Sequence, residues 1–224
     1  MTLTVDDVLE RARRMRHVPT LYWIGMGGNV PEDDAISPPG DEFIFERDQR
    51  RVAPDRLPGL LAKATAAGID LSHIPPIKAC DCSGFVWWAL RQPRRDRNTD
   101  WIWQDAQRPQ PSALFEPFDP ADRLRAAEGA LIVYPKPPGD YRNRHGEPDA
   151  YGHVGIVTAV DAQGRPTAVI HCSADNFLGP TAPRAGGGPG ERNAIAETGP
   201  EVFLDHAEVP GHETRVVWYR PLRR

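Results

Sequence analysis

Asp81-Cys82-Ser83-Gly84 runs directly into Phe85-Val86-Trp87-Trp88-Ala89-Leu90. A short polar start followed by an unbroken apolar run predicts a helix that buries Phe85, Val86, Ala89 and Leu90 and ends near Pro93, with Trp87 and Trp88 as core residues. Cys82 then lies on the first turn. There it faces unpaired backbone N–H groups and the positive end of the helix dipole. Both favour the thiolate, so a nucleophile at neutral pH is expected. Asp81 or Ser83 is placed to cap the turn. Gly84 leaves room for a substrate or a facing strand, and the Cys82 N–H is a natural oxyanion donor.

Two histidines follow in strand-like surroundings. His153 stands in Gly152-His153-Val154-Gly155-Ile156-Val157, and His171 ends Ala168-Val169-Ile170-His171. A single helix cysteine is usually a small buried hydrophobe, and a single strand histidine is usually structural. Together they have the layout of a thiol nucleophile (Cys82), its general base (His153) and a group that orients the base (His171).

The chain of 224 residues fits one domain, 1–224, with length enough for a core. Thr4 and Asp7 start a first helix through Val5, Val8, Leu9 and Ala12 to about Met15. Residues 21–28 form an apolar, glycine-rich turn, and 60–67 a second helix. Strand signals occupy 130–134, 153–160, 167–171 and 214–219, the middle two joined by a hairpin at Asp161-Ala162-Gln163-Gly164. Helices first and an antiparallel sheet afterwards indicate an α+β domain. Inserted loops are expected at about 29–58, 135–151 and 179–193. The last holds Gly186-Gly187-Gly188-Pro189-Gly190, which lacks phosphate-loop register and reads as a flap.

A net charge of −4 argues against general nucleic-acid binding. The cluster Arg91, Arg94, Arg95 and Arg97 reads as a solvated turn. No apolar stretch is long enough to span a membrane. The N-terminus lacks the pattern of a secretory signal peptide, so the expected location is the cytoplasm, or a periplasm reached by signal-peptide-independent secretion.

These motifs resemble those of the NlpC/P60 family of papain-like cell-wall peptidases: Asp81-Cys82-Ser83-Gly84 opening the central helix, Gly152-His153-Val154-Gly155-Ile156 on a strand, and His171 on the next. Gly129-Ala130-Leu131-Ile132-Val133-Tyr134 is similar to the family's G-D-L-V-x-Y strand, and Tyr22-Trp23-Ile24-Gly25 to its upstream Y-x-W-G-G element. About sixty residues separate Tyr22 from Cys82, where the family has about a dozen. The resemblance implies a papain-like fold with N-terminal helices packed on a central antiparallel sheet. It also implies a cysteine hydrolase cutting amide bonds of peptidoglycan stem peptides, with γ-D-glutamyl-diamino acid bonds a frequent target. Cys82, His153 and His171 would be catalytic. Tyr22, Asp81 and Ser83 would serve the oxyanion or substrate, and no cofactor or metal is required. A secreted antibacterial effector fits a small leaderless chain and would imply an immunity protein.

Other readings are a cytoplasmic wall-peptide recycling enzyme, an acyltransferase on the same fold and a non-catalytic module. A metal site could draw on Cys80, Cys82, Cys172 and a histidine, although C-x-C is poor zinc spacing. Cys80 and Cys172 flank positions that must lie close together, which makes them a candidate disulfide in an oxidising compartment. Trp101 and Trp103 are candidates for lining the cleft.

Overall fold

The computed structural model describes residues 2–28, 40–109, 111–139, 141–142, 151–179 and 192–223. The expected Gly186–Gly190 flap, like residues 140 and 143–150 of the expected loop at 135–151 and residues 29–39 of the loop at 29–58, lies outside them.

Helix α1 (Val5–Met15) starts with a reciprocal cap. The Thr4 hydroxyl accepts from the Asp7 N–H at 3.2 Å, and the Asp7 carboxylate accepts from the Thr4 N–H at 2.9 Å. Its inner face buries Val8, Leu9, Ala12 and Met15. A three-stranded sheet follows, in the order β1 (Thr20–Tyr22), β3 (Lys78–Cys80), β2 (Asp41–Glu42). The turn expected at 21–28 is therefore partly strand, because β1 pairs in parallel with β3 and sets Tyr22 opposite Cys80.

The segment expected as a loop at 29–58 is structured from residue 40 onward. It contributes β2, helix α2 (Phe45–Asp48) and a 3₁₀ turn at Gln49–Arg51. Asp48 organises it. Fully buried, its carboxylate takes the Ile44 N–H and the guanidinium groups of Arg47 and Arg51, while its carbonyl takes the Trp23 indole N–H at 2.8 Å. Helix α3 (Leu57–Ala66) completes the insertion, with a proline in its first turn.

All eight residues of helix α4 (Cys82–Ala89) are buried, as an apolar run with no polar face requires. Helix α4 packs on strands β6 (His153–Val160) and β7 (Pro166–Cys172) and also meets α1. The buried Arg11 of α1 donates to the Trp88 carbonyl at 3.0 Å. The helix ends at Ala89, before the expected Pro93, and Arg91 takes a positive φ just beyond it.

The main sheet is antiparallel throughout, in the order β4 (Phe115–Pro117), β9 (Arg215–Tyr219), β5 (Leu131–Tyr134), β6 (His153–Val160), β7 (Pro166–Cys172), β8 (Ile195–Thr198). The four expected strands are present. Strands β4 and β8 were not legible, being three and four residues long. Three short helices complete the fold: α5 (Thr99–Asp105), α6 (Ala174–Leu178) and α7 (Glu201–Leu204). The chain is thus an α+β protein of helices and antiparallel sheet.

Trp101 and Trp103 are structural on α5. Trp101 meets Trp87 and Phe115 at ring-centroid distances of 6.0 and 6.5 Å. Trp103 donates to the Glu213 carbonyl at 2.8 Å under the Arg215 guanidinium. Neither lines the cleft described below. The arginine cluster is not simply solvated either. Arg97 covers Trp87 at 4.0 Å, and Arg94 is buried.

Gly84 admits neither a substrate nor a strand. What approaches it is the turn after β1: a Cβ there would stand 2.4 Å from the Met26 carbonyl oxygen. Gly84→Ala is expected to cost about 1–3 kcal/mol in urea unfolding, as overpacking does. Gly59→Ala, where a Cβ meets nothing within 4 Å, should instead stabilise α3 by up to about 1 kcal/mol.

Candidate active site

Asp81 is the N-cap of α4. One carboxylate oxygen accepts from the Gly84 N–H at 2.8 Å and the Ser83 hydroxyl at 2.9 Å. The other accepts from the Gly25 N–H at 2.8 Å and pairs with the Arg94 guanidinium at 2.7 Å. Arg94 also donates to the Met26 carbonyl at 3.1 Å. This network ties the start of α4 to the 24–28 turn. It also corrects a sequence expectation. Asp81 and Ser83 are buried and bonded inward, so they shape the helix start and do not line the cleft.

The strands deliver the histidines. His153 and Gly155 project from the same face of β6, since side chains alternate along a strand. Extending the Ile156–Ile170 register places His171 of β7 across from Gly155. A Cβ on Gly155 would stand 3.1 Å from both the His171 Cβ and the Phe203 ring, so the missing side chain leaves room for both rings. His153 Nε2 and His171 Nδ1 are 2.7 Å apart, and His171 Nε2 is 2.9 Å from the Thr198 hydroxyl. Phe203 stacks on the His153 ring at 5.1 Å, and the buried His206 stacks on Tyr134 at 3.7 Å.

The Cys82 thiol rests against β6 on both sides of His153. Its sulfur lies 4.0 Å from the Gly152 carbonyl oxygen, and the Val154 N–H is directed at it. Because His153 Nε2 is committed to His171, Nδ1 is the nitrogen left for the thiol. The thiol thus lies against the backbone on either side of His153, whose ring meets His171, although the three residues are up to 89 positions apart in the chain. Tyr22 joins them, close enough to feel the Cys82 charge. Burial, and then that charge, raise its phenol well above 10, so it stays a hydrogen-bond donor.

The thiol is not preformed as a thiolate. Burial first, and the Asp81 carboxylate second, push Cys82 up to about 12, against the opposing pull of the Val154 N–H and Arg94. A rise from 9.0 to about 12 corresponds to about 4 kcal/mol. A helix dipole returns at most about 2 kcal/mol, so desolvation wins over the expectation from helix position. Burial likewise lowers His153 well below 6.5 and His171 to about 4. The resting pair is neutral thiol and neutral imidazole.

His153 and His171 form part of the floor of a cleft of about 730 Å³ that also exposes Tyr22, Tyr134 and Tyr151. Arg56 and Lys63 from the helix α3 region line the cleft, as do Asp175, Glu201 and Asp205. Cys82 itself is only 4% exposed. Cys80 and Cys172 are free, buried neighbours with sulfurs 3.4 Å apart. Among the described residues no group of His, Cys, Asp or Glu is arranged to hold a metal, and no helix is long and apolar enough to cross a membrane.

Sequence reasoning missed Arg94, Thr198, Phe203 and His206. Arg94 was concealed in a run of arginines, and the other three follow the second histidine with no motif to mark them.

Residues 76–174 match the family model of the CHAP domain. This is a papain-like cysteine peptidase/amidase domain related to NlpC/P60, and such domains typically act as hydrolases on peptidoglycan. Searches of curated proteins and of solved structures returned no significant match.

Two outcomes are expected. Alkylation of Cys82 by iodoacetamide should be slow at pH 7 and rise about tenfold per pH unit to pH 10 without levelling, following the thiolate fraction. A plateau near neutrality would mean a preformed ion pair. Second, the depressed His171 favours the neutral ring in the folded state, so its contribution is complete above 6.5 and is lost as pH falls towards 4. Urea midpoints should record a loss of about 3 kcal/mol across that window from His171, with a further share from the more strongly lowered His153, and His171→Gln should reduce the slope without abolishing it.

Proposed function

We propose that this CHAP-containing chain hydrolyses amide bonds in peptidoglycan stem peptides, with Cys82 as nucleophile and His153 as general base. The observation that carries the reading is the Cys82 thiol buried against the Gly152–Val154 backbone, beneath the His153 and His171 rings that line an open cleft.

Cys82 sulfur attacks the amide carbonyl carbon as its proton passes to His153 Nδ1, so charge separates only as the S–C bond forms. This suits a site whose resting groups are neutral. The oxyanion is placed near the Cys82 N–H, which on the first helical turn has no helical acceptor, and near the Tyr22 hydroxyl. His153 returns the proton to the departing amine as the C–N bond breaks. Water, deprotonated by His153, then cleaves the thioester to a carboxylate and restores the thiol. His171 holds the imidazole in place throughout.

The cleft suits a peptide bearing both signs of charge. Arg56 offers a partner for a carboxylate and Glu201 for an ammonium group, while Lys63 and Asp175, which also line the cleft, pair with each other at 3.8 Å. A γ-D-glutamyl-diamino acid segment carries both, which favours that bond within the stem peptide. An antibacterial role outside the producing cell is compatible with the same chemistry.

Purified peptidoglycan fragments digested with the wild type should yield a new stem-peptide product in mass spectra. Cys82→Ala and His153→Ala should each lower its rate by roughly 10⁴-fold or more. Equal product from Cys82→Ala would sink the mechanism, and absence of product from the wild type would sink the substrate.

A further inference from the structure

We propose that Thr198 is a positioning residue whose hydroxyl, anchored on a backbone carbonyl, determines which ring nitrogen of His153 accepts the thiol proton. The inference rests on the roles given above to Cys82 and His153. Thr198 lies in β8, outside the residues that match the CHAP domain.

Thr198 Oγ1 lies 2.9 Å from the Gly199 carbonyl oxygen and 2.9 Å from His171 Nε2. A carbonyl only accepts, so the single hydroxyl proton goes to Gly199 and the hydroxyl oxygen is left as an acceptor. His171 must then donate from Nε2. A neutral imidazole carries one N–H, so His171 Nδ1 is bare and accepts across 2.7 Å from His153 Nε2. His153 in turn has its lone pair on Nδ1, the nitrogen left for Cys82. The donors of His153, His171 and Thr198 thus point the same way, towards the Gly199 carbonyl, and leave the His153 Nδ1 lone pair for the thiol proton. Burial keeps both rings neutral and so keeps the count valid.

The strand is held to this task. Thr198 pairs with Val169 and Ala196 with His171, so the hydroxyl meets the ring on a diagonal of the ladder. Between them, Glu197 is fixed by Arg16 at 2.6 Å and by the Thr158 hydroxyl at 2.6 Å.

Without the hydroxyl, His171 Nε2–H loses its acceptor. The pair is then free to reverse: His171 donates from Nδ1, and His153 carries its proton on Nδ1 and presents a donor to the thiol. A general base held in the wrong tautomer loses up to about 10⁴-fold in rate. A mixture of tautomers should lose less.

The test is ¹⁵N NMR of the ring nitrogens in histidine-labelled protein, assigned with single-histidine variants, together with peptide-cleavage kinetics. In the wild type His153 should be protonated on Nε2 and bare on Nδ1. Thr198→Val should give His153 mixed-tautomer signals and lower kcat by roughly 10–100-fold, with KM nearly unchanged. Thr198→Ser should restore both. A wild-type His153 protonated on Nδ1 would overturn the proposal. So would a Thr198→Val protein of native thermal stability whose His153 keeps the wild-type tautomer. The NMR readout needs no substrate, so a wild type with the expected tautomers that cuts no peptide would support the relay and overturn only the functional reading.

Discussion

The buried ion pair between Asp81 and Arg94 is the constraint on which the site depends. A carboxylate and a guanidinium taken out of water are costly unless every donor and acceptor is used, and here they are engaged on several sides. Asp81 receives two backbone N–H groups, a hydroxyl and the guanidinium. Arg94 also binds the Met26 carbonyl. Together they hold the start of α4 against the 24–28 turn, and Gly84 lets the two backbones close up. The network places Cys82, and the Asp81 charge also opposes ionisation of its thiol.

That opposition gives the chemistry its form. A thiol on a residue only 4% exposed cannot be kept as an anion by a helix dipole alone. In the proposed mechanism its proton leaves in concert with attack, into a base whose lone pair the proposed histidine–threonine relay aims. The alignment of His153 therefore counts for more than its basicity. A bound carbonyl that develops negative charge beside the Cys82 N–H brings electrostatic stabilisation that the empty site lacks.

The sequence was informative where chemistry and local pattern coincide. An apolar run behind Asp81-Cys82 can only be a buried helix, and the β-branched segments around His153 and His171 fall on adjacent strands as their spacing predicts. It was uninformative where a residue's role is set by a distant partner. Arg94 has the same immediate company as Arg95, yet one is buried against Asp81 and the other is exposed. Strands β1, β3 and β8 are too short to carry a period: β1 and β3 exist by pairing with each other, and β8 because the longer β7 offers an edge. Helix position predicted a thiolate, whereas the depth of burial that decides against it is a property of the assembled core.

The division of labour along the chain bears on specificity. The matched residues 76–174 hold Cys82, His153 and His171. Much of what faces a substrate comes from outside them: Tyr22, the Arg56–Lys63 wall on the insertion, and the segment from Thr198 to His206. The chemistry needs a few atoms at fixed distances, which one helix and two strands supply. Selecting a substrate needs charge spread over a cleft of about 730 Å³, more than those elements can line. The insertion before Cys82 is thus tied to the site at one end by Trp23 and Asp48, through a 2.8 Å hydrogen bond. At the other end it presents Arg56 and Lys63. On the proposed function, a change in that insertion alters which peptide binds while leaving the distances among Cys82, His153 and His171 untouched.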